Sequence, residues 1–268
     1  MPAPTTPTAL DLLWGTRDAP RRGPRPSLSL DRIVAEAIAL ADADGLASLS
    51  MQHLADRLGC AKMALYRYVP GKSELVALMV DAALGDPPRP SGSPPSAAPT
   101  DPAATVAAAQ TEAAGQNGQR PPTGEQPWRA VLRLWATTIH GRYRAHPWAI
   151  EATTGSRPTG PNEMAWLETA LTALAGTGLT GPERLDAVAL LIGHVRSLVQ
   201  VTPPGQPGFE AELARQVGAA LSARPDRYPQ VLAAFSESPP PGGRDNALQF
   251  GIDRILDGLA ALMAARAA

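Results

Sequence analysis

Hydrophobic residues recur at intervals of three and four along most of the chain and nowhere alternate with polar ones in the two-residue period of a strand, which predicts an all-α protein. Ile33, Ala37, Ile38, Leu40 and Ala41 draw a wide apolar stripe along a helix from about Leu30 to Asp44, and Gly45 is placed to end it. Met51, Leu54, Ala55 and Leu58 form one face of a short helix. Gly59 then gives the backbone freedom for a tight turn into another. Leu75, Leu78, Met79 and Ala82 stripe a fourth helix over Ser73 to Leu84, with Ser73 as its candidate cap. Large apolar residues nearly vanish between Gly85 and Gln126. They return in five further helical stretches: Trp128 to Ala145, Asn162 to Leu174, Pro182 to Val201, Phe209 to Leu221 and Asp245 to Ala265. Pro147, Pro161, Pro182 and the pair Pro203-Pro204 punctuate these as starts or stops.

This pattern divides the chain into four parts. Residues 1–28 read as a flexible extension with a basic arm, and 29–85 as a three-helix helix-turn-helix domain completed by the fourth helix. A disordered Pro/Ala/Gly-rich linker over 86–126 joins it to an all-helical effector-binding and dimerisation domain over 127–268. A length of 268 residues with 44% hydrophobic content is enough for two cores, while 29 prolines and 24 glycines account for the irregular stretches between them. The net charge is −1, so attraction to a polyanion has to come from a local patch. A single cysteine, Cys60, excludes an internal disulfide and points to a reducing compartment. No stretch reads as a secretory leader or a membrane span, and a soluble, cytoplasmic protein is expected. The histidines His53, His140, His146 and His194 are scattered. No metal-ligand, phosphate-loop or nucleophile-elbow spacing appears, which argues against an enzyme, a metal site or a cofactor.

The candidate chemistry lies in Ser50 to Lys72, SMQHLADRLGCAKMALYRYVPGK. Lys62, Met63, Tyr66 and Arg67 fall on or beside one side of the second short helix, a mixture of cation, aromatic and flexible apolar groups suited to a DNA major groove. Lys62 and Lys72 are the only lysines of the chain and bracket that helix. Upstream, Arg21, Arg22 and Arg25 form an arm suited to a minor groove.

Residues 29–84 resemble the DNA-binding domain of the TetR family of bacterial transcriptional regulators. The likeness is carried by Leu49-Ser50-Met51, Leu54-Ala55-Asp56-Arg57-Leu58-Gly59, Leu65-Tyr66-Arg67-Tyr68-Val69 and Lys72 before Glu74-Leu75. It implies that Gln52, Lys62, Met63 and Tyr66 meet bases or nearby phosphates and that Tyr68 and Lys72 anchor the DNA backbone. The family often has hydroxyl residues where this chain has Ala61 and Ala64, so the recognition helix is expected to be short.

In the second half, Trp135, Ile139, Tyr143, His146 and Trp148, with Met164, Leu167 and His194 on later helices, are candidates to line a small-molecule effector pocket. Leu185, Val188, Ile192 and Val199 on one helix and Ile252, Ile255, Leu259 and Leu262 on the last are candidates for a four-helix homodimer interface. The resemblance implies such a dimer. The function expected is a dimeric repressor that binds a palindromic double-stranded operator and is released by an effector of unknown identity. The alternative is a DNA-binding dimer without effector, controlled by a protein partner or by abundance.

Overall fold

Two serines start the N-terminal bundle. Ser29 and Ser50 each accept a bond from the backbone N–H three residues on, Arg32 and His53, and so cap α2 (Leu30–Asp44) and α3 (Met51–Leu58). Such a cap contributes about 1 kcal/mol. The computed structural model describes residues 8–15, 28–89, 126–155, 157–202, 208–223, 225–237 and 246–267, and among these every regular element is helical. Gly45 (φ 79°) ends α2, and Gly59 (φ 67°, ψ 35°) ends α3 in the left-handed region. Its N–H returns to the carbonyls of Ala55 and Asp56. The turn delivers the chain to α4 (Lys62–Leu65), four residues long and started by Ala61 without a side-chain cap.

The fourth helix of the sequence pattern, α5 (Lys72–Leu84), begins one residue earlier than expected, with Gly71 at its N-cap. Ser73 therefore lies inside the first turn, where its hydroxyl bonds the Glu74 carboxylate at 3.0 Å instead of capping. Ile33, Leu40, Leu49, Leu54, Leu65, Leu75 and Met79 are fully buried between these helices.

The extension differs from the sequence expectation. Thr8 and Asp11 form a reciprocal capping box that starts α1 (Ala9–Trp14), Leu13 is buried, and α1 packs along α5. The Thr8 backbone N–H and hydroxyl hold the Asp11 carboxyl below its ordinary pKa. The arginine arm and nearly all of the 86–126 linker fall outside the described residues.

The second domain comprises α6 (Pro127–Ala145), α7 (Trp148–Ala152), α8 (Pro161–Ala173), α9 (Gly181–Val201), α10 (Phe209–Ala223), α11 (Pro229–Ser236) and α12 (Ala247–Ala267). α9 lies against α6, α8 and α12, and α6 against α8. Their common core includes Leu132, Trp135, Trp166, Leu174, Leu191, Ile252 and Leu256. Arg129 and Arg133 reach Asp257 and Asp253, tying α6 to α12, and Arg266 bonds Glu183 to close α12 on α9. Gly251 permits another close approach: a Cβ there would lie 2.2 Å from the His194 ring, which bonds the Leu248 carbonyl at 3.1 Å. No helix among the described residues is long and apolar enough to cross a membrane.

Candidate nucleic-acid interface

Leu65 and Val69, both fully buried, pin α4 and the turn after it to the bundle, so the side chains between and before them are held outward on a fixed base. Lys62, Met63 and Arg67 are exposed and Tyr66 is half-buried, with the Lys62 ammonium 6.0 Å above its ring. Gln52 is exposed on α3, where its amide donates to Asp56 at 2.8 Å. Lys72 is exposed and its ammonium lies 3.4 Å from the Leu46 carbonyl. Tyr68 is half-buried and its hydroxyl donates to the Leu28 carbonyl at 2.9 Å, which ties the entry of α2 to the turn after α4. Arg57 is held by Glu36 in an ion pair between α3 and α2. Cys60 is half-buried in the α3–α4 turn. Arg21, Arg22 and Arg25 lie outside the described residues. A rigid apolar footing under a short exposed rod of cation, thioether and aromatic groups can position against phosphates and read base edges.

The DNA-binding bundle is joined to the second domain by polar groups, an exposed Asp42 and a buried Asp81 among them. On α2, one Asp42 carboxylate oxygen accepts the Trp148 indole N–H at 2.6 Å and lies 2.8 Å from His146 Nδ1. On α5, the Asp81 carboxylate accepts the backbone N–H groups of Asn162 and Glu163 at 2.9 and 3.1 Å. The Asn162 side-chain amide donates to the Asp81 carbonyl at 2.9 Å. Asp81 therefore caps α8 from another domain, a role that Gly160 at the N-cap cannot fill for want of a side chain. A Cβ on Gly160 would stand 2.2 Å from the Asp81 carboxylate, so glycine is what allows the approach. Burial raises the Asp81 pKa, and the two N–H donors oppose that rise. Trp166 on α8 donates to the Gly85 carbonyl at 2.8 Å, and Trp14 on α1 to the Thr159 carbonyl at 2.9 Å.

The eight candidate effector residues do not converge on one space. Trp135, Ile139 and Tyr143 are buried, with Trp135 bonded to the Trp166 carbonyl at 2.8 Å and their rings edge-to-face at 5.7 Å. His146 and Trp148 belong to the seam with Asp42. Leu167 is half-buried against the core, Met164 is exposed, and His194 is bound to Leu248.

A cleft opens instead beside α6, α9 and α12, lined by His140, Arg144, Leu198, Thr202, Phe209 and Leu248. Burial, with help from Arg144 and His194, holds the His140 pKa below its ordinary value. His140 and Arg144 sit four residues apart on α6 and share a face, a spacing visible in the sequence and not used there. Asp81 had a signal too, an acid inside the apolar run from Leu75 to Leu84.

Of the residues assigned to a partner chain, Leu185 and Leu262 are exposed and Ile192 and Ile255 half-buried. Val188 and Val199 on α9 and Ile252 and Leu259 on α12 are buried within the subunit, because the two helices turn those sides toward neighbours in the same chain.

A helix-turn-helix bundle set on a larger helical domain defines a DNA-binding transcriptional regulator. Residues 33–79 match the tetR family of bacterial regulatory proteins, and residues 120–263 match the Tetracyclin repressor-like C-terminal domain. The chain is 36% identical over 265 residues to the HTH-type transcriptional repressor DrrR1 of Streptomyces coeruleorubidus, covering 96% of this chain and 86% of that protein. It is 30% identical to an HTH-type transcriptional regulator of Saccharopolyspora erythraea, covering 88% of this chain and 86% of that one. Its fold is similar to that of ActR from Streptomyces coelicolor in complex with actinorhodin: TM-score 0.63 at 23% identity, covering 88% of this chain and 98% of that chain. The protein belongs to the TetR family and is a transcription factor, not an enzyme.

Proposed function

We propose that the protein is a dimeric repressor that binds an inverted-repeat operator and leaves it when a small molecule occupies the second domain. The seam carries this reading. α5 shares its core with the recognition helix and holds, through Asp81, the first turn of α8, so a displacement in the second domain has a bonded route to α4. A ligand shifts the equilibrium only by its difference in affinity for the two arrangements. We place the effector at the His140–Arg144 cleft, whose lining joins Leu198 and Phe209 to a cation and an imidazole. ActR, of like fold, takes a small molecule, actinorhodin.

Support for a dimer comes from the outer faces of α9 and α12. Leu185, Leu190, Phe250 and Leu262 stand exposed among the small residues Ala189, Gly193, Gly258 and Ala261, a surface that a second copy can cover closely. Gln52, Lys62, Met63, Tyr66, Arg67 and Lys72 are the groups offered to the operator. One observation favours a second reading, a DNA-binding dimer without effector: the interior around Trp135 is closed by Trp166.

Footprinting of the regions flanking its own gene, with sedimentation at micromolar concentration, tests the main reading. Two protected half-sites related by inversion, about one helical turn apart, and a dimeric mass are expected. A monomer protecting one half-site contradicts it.

A further inference from the structure

α4 offers a DNA groove little hydrogen-bonding capacity and one conspicuous apolar group. Met63 is 72% exposed, more than any other large apolar side chain among the described residues. Ala61 beside it is exposed and Ala64 half-buried, so neither neighbour brings a hydroxyl. The polar candidates nearby are turned to partners of their own. The Lys62 ammonium lies over the Tyr66 ring, and the Gln52 amide N–H donates to Asp56 at 2.8 Å. That bond occupies one of the two Gln52 amide N–H donors and draws the amide toward Asp56.

On the element that the reading above sets against DNA, Met63 is the large apolar side chain free to meet a base edge. In the major groove the apolar mark that distinguishes one base from the others is the 5-methyl group of thymine. The methionine thioether is unbranched and polarisable, and adapts its rotamers to such a methyl at small cost.

We propose that Met63 is a specificity-determining residue that reads thymine in each half-site through its 5-methyl group. This rests on α4 being the element that enters the groove. The remaining cations, Arg67 and Lys72, then supply position on the phosphates and no sequence preference.

The test starts from the duplex that the wild-type protein selects from a random-sequence library. Each thymine of that duplex is replaced in turn by deoxyuridine, which removes the methyl group and leaves every hydrogen-bonding atom in place. Anisotropy titration at fixed salt should show a loss of about fourfold per methyl removed at one or two positions in each half-site. Met63→Gln, similar in length but polar, should lose that sensitivity and accept other bases at the same positions, whereas Met63→Leu should keep both. Arg67→Ala should weaken all duplexes alike.

Tolerance of deoxyuridine at every position, with Arg67→Ala still weakening binding, overturns the methyl reading and leaves α4 at the DNA. Sensitivity to deoxyuridine that persists in Met63→Gln also overturns it, since another residue then reads the methyl. If neither Arg67→Ala nor Met63→Gln alters affinity, α4 is not in the groove and both readings fall. Because Met63 and Arg67 are exposed, both proteins should fold, and superimposable thermal melts verify this.

Discussion

At the recognition surface Lys62 and Met63 stand in water on a four-residue helix, with Arg67 in the turn after it; at the seam Asp42 and Asp81 stand between domains with their donors already supplied by the same chain. The first region satisfies its polar groups loosely, so DNA can replace water and the Gln52–Asp56 bond at small cost. The second region satisfies them internally, and Asp81 is only 6% exposed. A buried carboxylate that loses its donors has no water to turn to. On the function proposed above, the first set selects a sequence and the second fixes where the selecting helix stands. Substitutions in the two regions should therefore fail in different assays.

The largest effect is expected from Asp81→Ala, which strands the Asn162 and Glu163 N–H groups in a mostly buried site. Each orphaned donor costs roughly 1–3 kcal/mol. Urea unfolding should register a loss of about 3 kcal/mol, and Asp81→Asn, which keeps an accepting oxygen, should recover most of it. Leu13→Ala comes next at about 2 kcal/mol, the low end for a buried leucine because α1 is short and lies at the edge. An unchanged unfolding curve for Leu13→Ala would remove α1 from the fold's support. Trp148→Phe keeps an aromatic ring but removes the pyrrole half and one of two bonds to Asp42, for between about 1 and 2 kcal/mol in the same assay. Arg67→Ala inverts the pattern. Its stability should stay within about 0.5 kcal/mol of wild type while affinity for DNA falls and the salt dependence becomes shallower by about one phosphate contact.

Acidification separates two further groups. His140 has a folded pKa below its ordinary value of 6.5, so the folded state binds protons less readily than the unfolded one. Its contribution to stability is complete at neutral pH and is lost as pH falls from about 6.5 toward the lowered value. An anion in the cleft would reverse that pull on His140, and binding of an acidic effector should be accompanied by proton uptake below neutrality. Glu183 is pushed down to about 2 from 4.5 by Arg266 and then by Thr180. The contribution of this α9–α12 clamp is present above pH 4.5 and disappears between there and about pH 2. Thermal melts of wild type and Glu183→Gln should converge at the acid end of that window and differ above it.

Legibility in the sequence followed the range of the forces involved. The helices Leu30–Asp44, Met51–Leu58 and Lys72–Leu84 are written in apolar spacing and in Ser29, Ser50, Gly45 and Gly59, all local signals. α7, at five residues, is too short for a 3.6-residue period to stand out, and α1 depends on a capping box hidden in a Pro/Thr-rich leader. The outward set Lys62, Met63 and Arg67 was readable because side-chain direction on a helix follows from spacing.

The effector candidates were not readable in the same way. Aromatic content could not tell Trp135, filled in by Trp166, from Trp148, held by Asp42 across 106 positions of sequence. Nor could spacing alone assign the two sides of α9, where Val188 and Val199 turn inward and Leu190 outward. Such choices depend on partners distant in the chain, and no local period encodes them.

If the seam sets the position of the recognition helix, operator affinity has to respond to Asp81→Asn. The variant is folded if its melt is cooperative and close to that of wild type, and the residue belongs to the bond with α8, not to the exposed recognition surface. Coupling through such a contact is worth about 0.5–2 kcal/mol, so affinity for the duplex selected by the wild-type protein should change by about twofold to thirtyfold. Equal affinity in a folded Asp81→Asn protein, with Arg67→Ala weakened in the same titration, would mean that the seam does not set that position.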